Sequence, residues 1–266
     1  MGNPGQFTMK FFLSFPLIFS VAAASVSRLA KDMESAVDAN NVRNARKVLK
    51  KGFSVDAPIT NEGVTALMIA AEMGKTKMIN FLATEAGASM QKVDKQGYNP
   101  LHFTAGFSGS VEGLRACLAI STGSINARET DQGNTPLHFA AANGSLEKVT
   151  LLVEAGADLE IKNNIGNTPI IAACYRDNVE VVQYLLNRGA DFLEVNDQDQ
   201  DCLAIAANFD SLRVARILLD RINPTKRNTN TGIIRALTHY AHSQEMKALL
   251  SEYFPGTISF ISCPRV

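Results

Sequence analysis

Residues 130–162 read TDQGNTPLHFAAANGSLEKVTLLVEAGADLEIK. The stretch opens on a turn around Gly133, after which Thr135 can cap a helix and Pro136 suits its first turn. Two short helical patterns follow, and Gly144 separates them. The first has a narrow apolar face and the second a wider stripe, formed by Leu137, Ala140 and Ala141 and by Leu146, Val149, Leu151 and Leu152. A unit this small cannot bury its apolar faces alone, so it must stack on similar neighbours.

The same unit recurs along the chain. Gly63, Gly97, Gly133 and Gly166 are separated by 34, 36 and 33 residues. Two positions after each glycine comes a related phrase: Thr65-Ala66-Leu67-Met68, Asn99-Pro100-Leu101-His102, Thr135-Pro136-Leu137-His138 and Thr168-Pro169-Ile170-Ile171. A second glycine series marks the other end of the unit: Gly52, Gly87, Gly123, Gly156 and Gly189. Self-similarity at this period predicts a helical repeat solenoid.

The motifs resemble the ankyrin repeat family. The phrase Thr135–His138, the following Ala140-Ala141, the Asn143-Gly144 pair and Gly156-Ala157-Asp158 carry the resemblance. It covers roughly residues 30–254 and implies an all-α solenoid of stacked helix–turn–helix pairs with β-turn tips, about five to seven repeats including degenerate caps. Asp199 replaces the turn glycine in a worn fifth unit near Asn196. Extra residues are predicted in two helix-end loops, 84–87 and 106–109, where insertions are tolerated.

The start of the chain predicts export. Lys10 precedes an apolar and small-residue run from Phe11 to Val26, and the run ends in small residues. A short basic region, an apolar core and such an exit favour a cleaved secretory signal peptide that spans residues 1–27, in which Met9-Lys10 is a more ordinary signal start than Met1. An N-terminal membrane anchor or a buried first helix is the alternative. Residues 28–254 then form the repeat domain and 255–266 a C-terminal tail.

Composition limits the function classes. The 26 basic and 26 acidic side chains give zero net charge, which argues against a nucleic-acid-binding protein. The basic stretch from Arg43 to Lys51 has helical spacing and is interpreted as a solvated helix face. The four cysteines have no framework spacing, so no required disulfide is expected.

Catalytic and metal-binding patterns are weak. Ser145-Leu146-Glu147-Lys148 matches the S-x-x-K phrase of serine acylases, but it lies where a helix N-cap is expected. The resemblance implies that His102 and His138 tie adjacent turns together. His239 and His242 lack the further ligands that a closed zinc site needs. We therefore expect no enzyme activity, no metal and no cofactor.

The resemblance also implies a binding face, the concave side formed by the turn tips and the first helix of each unit. Aromatic side chains, Met and Arg are the types enriched in interface cores, and several fall at these positions. The predicted partner-binding residues are Val64, Met73, Tyr98, Phe107, Asp131, Asn143, Ile165, Tyr175, Arg176 and Phe209.

These observations predict an exported, non-catalytic module that binds a specific protein through its concave face, in the periplasm or after secretion. The partner could be a periplasmic enzyme, such as a cell-wall hydrolase, that the module inhibits or protects against. The alternative is a secreted effector or scaffold acting in a host cell. The free protein is expected to be a monomer, without a nucleic-acid partner and without membrane contact once the signal is removed.

Overall fold

The computed structural model describes residues 28–106, 108–222 and 240–253, and within these ranges it contains helices and turns with a single isolated β-bridge, Pro58 to Thr65. The helices are α1 (Arg28–Asp38), α2 (Val42–Lys50), α3 (Ala66–Glu72), α4 (Thr76–Asn80), α5 (Pro100–Ala105), α6 (Val111–Ile120), α7 (Pro136–Asn143), α8 (Leu146–Glu154), α9 (Pro169–Cys174), α10 (Val179–Asn187), α11 (Cys202–Asn208), α12 (Leu212–Arg221) and α13 (Gln244–Tyr253).

The helices stack in two parallel layers. The first helices, from α1 through α11, contact their equivalents in the next unit, and the second helices, from α4 through α13, do the same. The first helices are short and rich in alanine, and their inward residues are fully buried, for example Leu137, Ala140 and Ala141. One continuous apolar core therefore runs along the stack, as the repeat pattern predicted.

The N-terminal caps of the first helices differ in residue type and agree in role. Met68 N–H donates to Thr65 Oγ1 at 3.4 Å, and Ala204 N–H donates to Asp201 Oδ1 at 2.8 Å. Each cap satisfies a backbone donor that the first helical turn leaves unpaired. In the fifth unit Asp201 thus takes the place of the usual threonine, and the helix keeps its cap.

The extra residue predicted in the loop 84–87 lies inside the second helix instead. After α4 the chain continues as a π-helical turn over Phe81–Glu85, in which Ala86 N–H donates to Phe81 O. The bond that closes this helix, Ala88 N–H to Leu82 O at 2.8 Å, matches Ala157 N–H to Leu152 O at 2.9 Å, with one more residue between its ends. A wide turn accommodates an inserted residue without breaking the helix.

The structure corrects one residue of the predicted apolar stripe of α8. Leu146 is 39% exposed at the start of α8, so it does not belong to the buried stripe. Its position precedes the inward-facing Val149 by three residues, yet the first turn of the helix points it outward.

Within the described ranges, none of the helices is both long enough and apolar enough to span a bilayer. The predicted signal segment 1–27, Phe107 and the tail 255–266 lie outside the described residues.

Candidate protein-binding surface

The turn tips of neighbouring repeats are joined by backbone hydrogen bonds. Lys95 N–H donates to Glu62 O at 2.9 Å, and Asn164 N–H donates to Gln132 O at 2.7 Å. The turns centred on residues 96 and 165 make the same bond to the next tip. The tips therefore form one connected edge whose geometry is set before any partner arrives, which lowers the entropic cost of binding.

A polar side chain at the base of each turn holds the tip closed. Asp94 Oδ1 accepts the N–H groups of Gln96 and Tyr98, both at 2.9 Å, and Asn163 Oδ1 accepts those of Ile165 and Asn167. Burial raises the pKa of Asp94, and these backbone donors oppose the rise. Glu129, Asn163 and Asn196 serve the later turns, so carboxylate and amide side chains are interchangeable here.

The two histidines of the repeated phrase connect adjacent repeats. Thr135 N–H donates to His138 Nδ1 at 3.2 Å, which leaves His138 Nε2 to donate to Asn167 O of the next repeat at 2.9 Å. His102 makes the equivalent contact with Asn134 O at 3.1 Å. Burial lowers the pKa of each ring to about 4, so both are neutral at pH 7. We call the turn-closing side chains Asp94, Glu129, Asn163 and Asn196, with His102 and His138, the inter-repeat lattice.

A second set of residues lies where the first helices end. We call Met73, Asn143, Tyr175, Arg176 and Phe209 the first-helix row. Met73 and Phe209 are the residues that follow α3 and α11, and they are 41% and 37% exposed. Methionine and phenylalanine are among the residue types enriched in protein interfaces.

The structure brings Tyr175 and Phe209 together. Their ring centroids lie 5.1 Å apart in an edge-to-face arrangement. Burial raises the pKa of the Tyr175 phenol, while hydrogen bonds with Asn167 and Asn196 oppose the rise, so this ring bridges the first-helix row and the turns. Arg176 is exposed beside it. A rigid aromatic pair flanked by an arginine has the composition of a binding hot spot.

Two predicted site residues are partly committed to packing. Tyr98 is half-buried, with its ring 5.6 Å from His102 and 5.7 Å from Phe139. Asn143 is also half-buried, and its Nδ2 donates to Ala105 O of the preceding repeat at 3.3 Å. Both residues lie on the predicted face, and their side chains also join repeats.

The remaining predicted residues, at the turn tips, differ in their exposure. Asp131 and Ile165 are exposed, the latter by 42%. Val64 is a correction, because its side chain is 3% exposed and belongs to the core. Its carbonyl accepts the N–H of Ile59 in a tight turn, which directs the side chain inward.

Lys148 is a residue that the sequence did not single out for burial. It is 5% exposed, and its Nζ donates to Gly106 O at 2.7 Å, at the end of α5. Burial lowers its pKa to about 8. The S-x-x-K lysine therefore satisfies the end of a neighbouring helix, and Ser145 occupies the N-cap position of α8 without a side-chain cap bond. The pattern alone gave no signal for this contact, because it spans 42 residues.

Among residues 28–106, 108–222 and 240–253, no group of three or more His, Cys, Asp or Glu side chains is arranged to hold a metal ion. Cys117, Cys174 and Cys202 are buried free thiols within the core. Burial raises the pKa of the Cys117 thiol to about 12, which keeps it in the unreactive protonated form.

A stack of short helix pairs with a connected edge of tips and an adjacent apolar row defines a repeat scaffold of the protein-binding class. Family models described as "Ankyrin repeats (3 copies)" match residues 86–163 and 156–228, and one described as "Ankyrin repeat" matches residues 62–95. The chain belongs to the ankyrin repeat family, whose repeats generally mediate protein–protein interaction as non-catalytic scaffolds.

Several curated proteins resemble this chain over their repeats. Phosphocholine transferase AnkX of Legionella pneumophila is 28% identical over 134 residues, 49% of this chain and 14% of the relative. Probable 26S proteasome regulatory subunit p28 of Saccharomyces cerevisiae is 36% identical over 107 residues, 40% of this chain and 46% of the relative. The B-cell lymphoma 3 protein homolog of Mus musculus is 36% identical over 113 residues, which are 41% of this chain and 24% of the relative. The matched part of the chain spans less than half the length of each relative.

Proposed function

We propose that this chain is an exported ankyrin module that binds one specific protein partner through its concave face and restrains that partner outside the cytoplasm. The observation that carries the proposal is the aromatic pair of the half-buried Tyr175 and the 37% exposed Phe209, whose ring centroids lie 5.1 Å apart. A surface of several repeats can bury about 800 Å² on its side, enough for a specific stable complex.

The proposed compartment follows from the sequence. The apolar run from Phe11 to Val26 supports export, and a periplasmic enzyme such as a cell-wall hydrolase is the class of partner that a cell needs to restrain there. A scaffold that covers an active-site entrance inhibits without chemistry of its own. Inhibition therefore needs only the surface that the family provides.

The binding test uses the chain as bait in a periplasmic extract of the organism that encodes it. We expect one partner that is retained by the wild-type chain and by Leu146→Ala, and lost with Phe209→Ala. Leu146 is the matched control, because it is 39% exposed, lies at the start of a second helix and is not one of the predicted partner-binding residues. Recovery of the same abundant proteins by all three forms would contradict the proposed site.

The inhibition test adds the purified chain to the recovered partner and measures peptidoglycan hydrolysis. Activity should fall with the wild-type chain and persist with Phe209→Ala. Fractionation of the producing cells tests the address separately. Protein found only in the cytosol of a host cell would replace the periplasmic proposal with that of a host-directed effector or scaffold.

A further inference from the structure

The contact between the helix pair α9–α10 and the pair α11–α12 lacks the histidine link of the earlier repeats. His102 and His138 each bond to a carbonyl of the following turn. The corresponding residue of the next unit is Ile171, which is fully buried and has no donor for the Gln200 carbonyl. This contact, which we call the Ile171 seam, therefore lacks a buried hydrogen bond that both preceding contacts have.

The loss of the histidine also leaves a hydroxyl group without a partner. Thr135 Oγ1 lies 2.9 Å from His138 Nδ1, so the threonine and the ring hold each other in place. Thr168, at the same position of the next unit, is fully buried, and its Oγ1 has no hydrogen-bond partner among the residues that the structure describes. Such a group favours opening of the seam, because water can then satisfy it.

Two backbone features beyond the seam act in the same direction. The tip bond across the seam, from Asp197 N–H to Ile165 O, is 3.2 Å long, whereas the tip bonds of the preceding repeats are 2.7–2.9 Å. Asp199 and Asp210 have φ of +59° and +57°, at positions that are glycine in the unit 130–162. A left-handed backbone costs more for aspartate than for glycine. The unit beyond the seam is therefore held less tightly and carries strain of its own.

The other polar contacts that cross the seam do not replace the histidine bond. Arg213 and Arg221 each bond to the preceding unit, but both side chains are exposed, so these bonds contribute little to stability. Asn196 Nδ2 donates to Asn167 Oδ1 at 3.0 Å. The equivalent amide bond exists in the preceding contact as well, where the histidine bond is added to it.

The aromatic pair of the binding surface also bridges the seam. Tyr175 belongs to the unit before the seam and Phe209 to the unit after it, and their ring centroids lie 5.1 Å apart. The Tyr175 phenol also hydrogen bonds with Asn196, which lies beyond the seam. A contact at the surface thus stands where the earlier repeats have a buried link.

We propose that α11 and α12 open away from α9 and α10 at the Ile171 seam before the rest of the stack unfolds, and that this opening separates the aromatic pair. Parts of a fold with fewer internal contacts open at lower free energy than the whole. A partner that needs both rings binds only the closed form, so its apparent affinity depends on the closed fraction. The opening itself does not depend on the proposed binding function and is tested without a partner.

Buried thiols report the opening. Cys174 of α9 and Cys202 of α11 are fully buried, and their thiols interact across the seam; we call them the seam thiols. Cys117 is equally buried in α6, two units before the seam. N-ethylmaleimide can react with each thiol only when its surroundings open. Peptide mass spectrometry of the reduced full chain gives each rate, relative to the same thiol in urea. We expect the seam thiols to react at least about fivefold faster than Cys117.

Two substitutions test the cause of the opening. Thr168→Val removes the unpartnered hydroxyl, and Ile171→His restores the missing donor. Each should slow the reaction of the seam thiols by about fivefold and leave Cys117 unchanged. Thr168→Val keeps the size of a side chain that makes no cap bond, so it tests the proposal even where Ile171→His fails to fold. Thr135→Val is the matched control: it removes a hydroxyl that is paired with His138 and should slow none of the thiols.

Phe209→Ala tests the link between the seam and the binding surface. Loss of one ring of the pair should speed the reaction of the seam thiols by about fivefold. Equal rates for the seam thiols and Cys117, no slowing with Thr168→Val, or equal slowing with Thr135→Val would overturn the opening at the Ile171 seam. Unchanged rates with Phe209→Ala would overturn its connection to the aromatic pair.

Discussion

The inter-repeat lattice and the first-helix row belong to the same stack of repeats, and they follow different rules. Every lattice residue has a partner in its own turn or in the next repeat, as His138 has in Asn167. The first-helix row changes from Met73 to Asn143, Arg176 and Phe209 at corresponding positions. The lattice is set by the stacking and repeats with it. Asn143 also joins two repeats, but Met73 and Phe209 are exposed, so residues of this row can differ from repeat to repeat and specify a partner.

The largest expected contrast in stability is between two leucines of the same repeat, Leu137 in α7 and Leu146 in α8. Leu137→Ala empties a fully buried site beside the lattice and should lower the free energy of unfolding by about 2–5 kcal/mol. Leu146→Ala removes the same atoms from an exposed site and should cost less than about 1 kcal/mol. Urea denaturation measures both free energies of unfolding, and equal losses would show that Leu146 is buried in the core.

The lattice histidines should make the protein sensitive to mild acid. Their folded pKa of about 4 lies below the ordinary value of 6.5, so the unfolded chain takes up protons first as pH falls below 6.5. Stability is therefore lost on going from pH 7 to pH 5, by about 2 kcal/mol for each histidine. His138→Gln should remove about half of this loss, measured as the difference between denaturation curves at the two pH values. An unchanged pH dependence in His138→Gln would contradict a buried neutral ring.

Substitution of two glycines by alanine distinguishes the cost of backbone strain from the cost of a steric clash. Gly97 and Gly156 both have positive φ, +82° and +93°. A Cβ on Gly97 would come within 2.8 Å of Thr130 N, but one on Gly156 would meet nothing within 4 Å. Gly156→Ala should cost about 1 kcal/mol from strain, and Gly97→Ala clearly more, because a tip of the next repeat must move. Thermal unfolding of the pair measures the difference; equal shifts in Tm would mean that the tips yield easily.

The smallest effect on stability is expected in the first-helix row. Phe209→Ala removes a side chain that is 37% exposed and loses mainly its edge contact with Tyr175, so it should cost about 1 kcal/mol or less. Its effect on partner affinity should be at least tenfold, as for interface anchors. Calorimetric titration with the partner from the pull-down measures the affinity. A large loss of stability together with unchanged affinity would assign Phe209 to the core.

Sequence predicted the stack well because its signals are local and repeated. Turn glycines, the Thr-Pro-Leu-His phrase and the two apolar patterns each state a short-range preference, and together they fixed the helix pairs and the buried histidines. The site was predicted less completely. Val64 follows its turn glycine, at the position where Asn134 and Asn167 are also buried, whereas the exposed Asp131 and Ile165 precede theirs.

Contacts between distant residues could not be obtained from the pattern. The edge-to-face arrangement of Tyr175 and Phe209 depends on how two repeats are set against each other. The burial of Lys148 depends on the position of the Gly106 carbonyl in the preceding unit. None of these three residues departs from the repeat periodicity, so spacing places each of them on a face of its helix and only packing decides its role.

The π-helical turn at Phe81–Glu85 has a consequence for how such chains change in length. An added residue in a helix would normally rotate everything after it by about 100° and turn the buried side outward. Here the wide turn ends this rotation within one unit, since Ala88 still closes on Leu82 as Ala157 closes on Leu152. An added residue in one repeat therefore does not rotate the helices of the next repeat. An insertion in this second helix leaves α5, the first helix of the next repeat, packed against α3 as the later first helices pack against each other, so a unit can gain residues without displacing its neighbours.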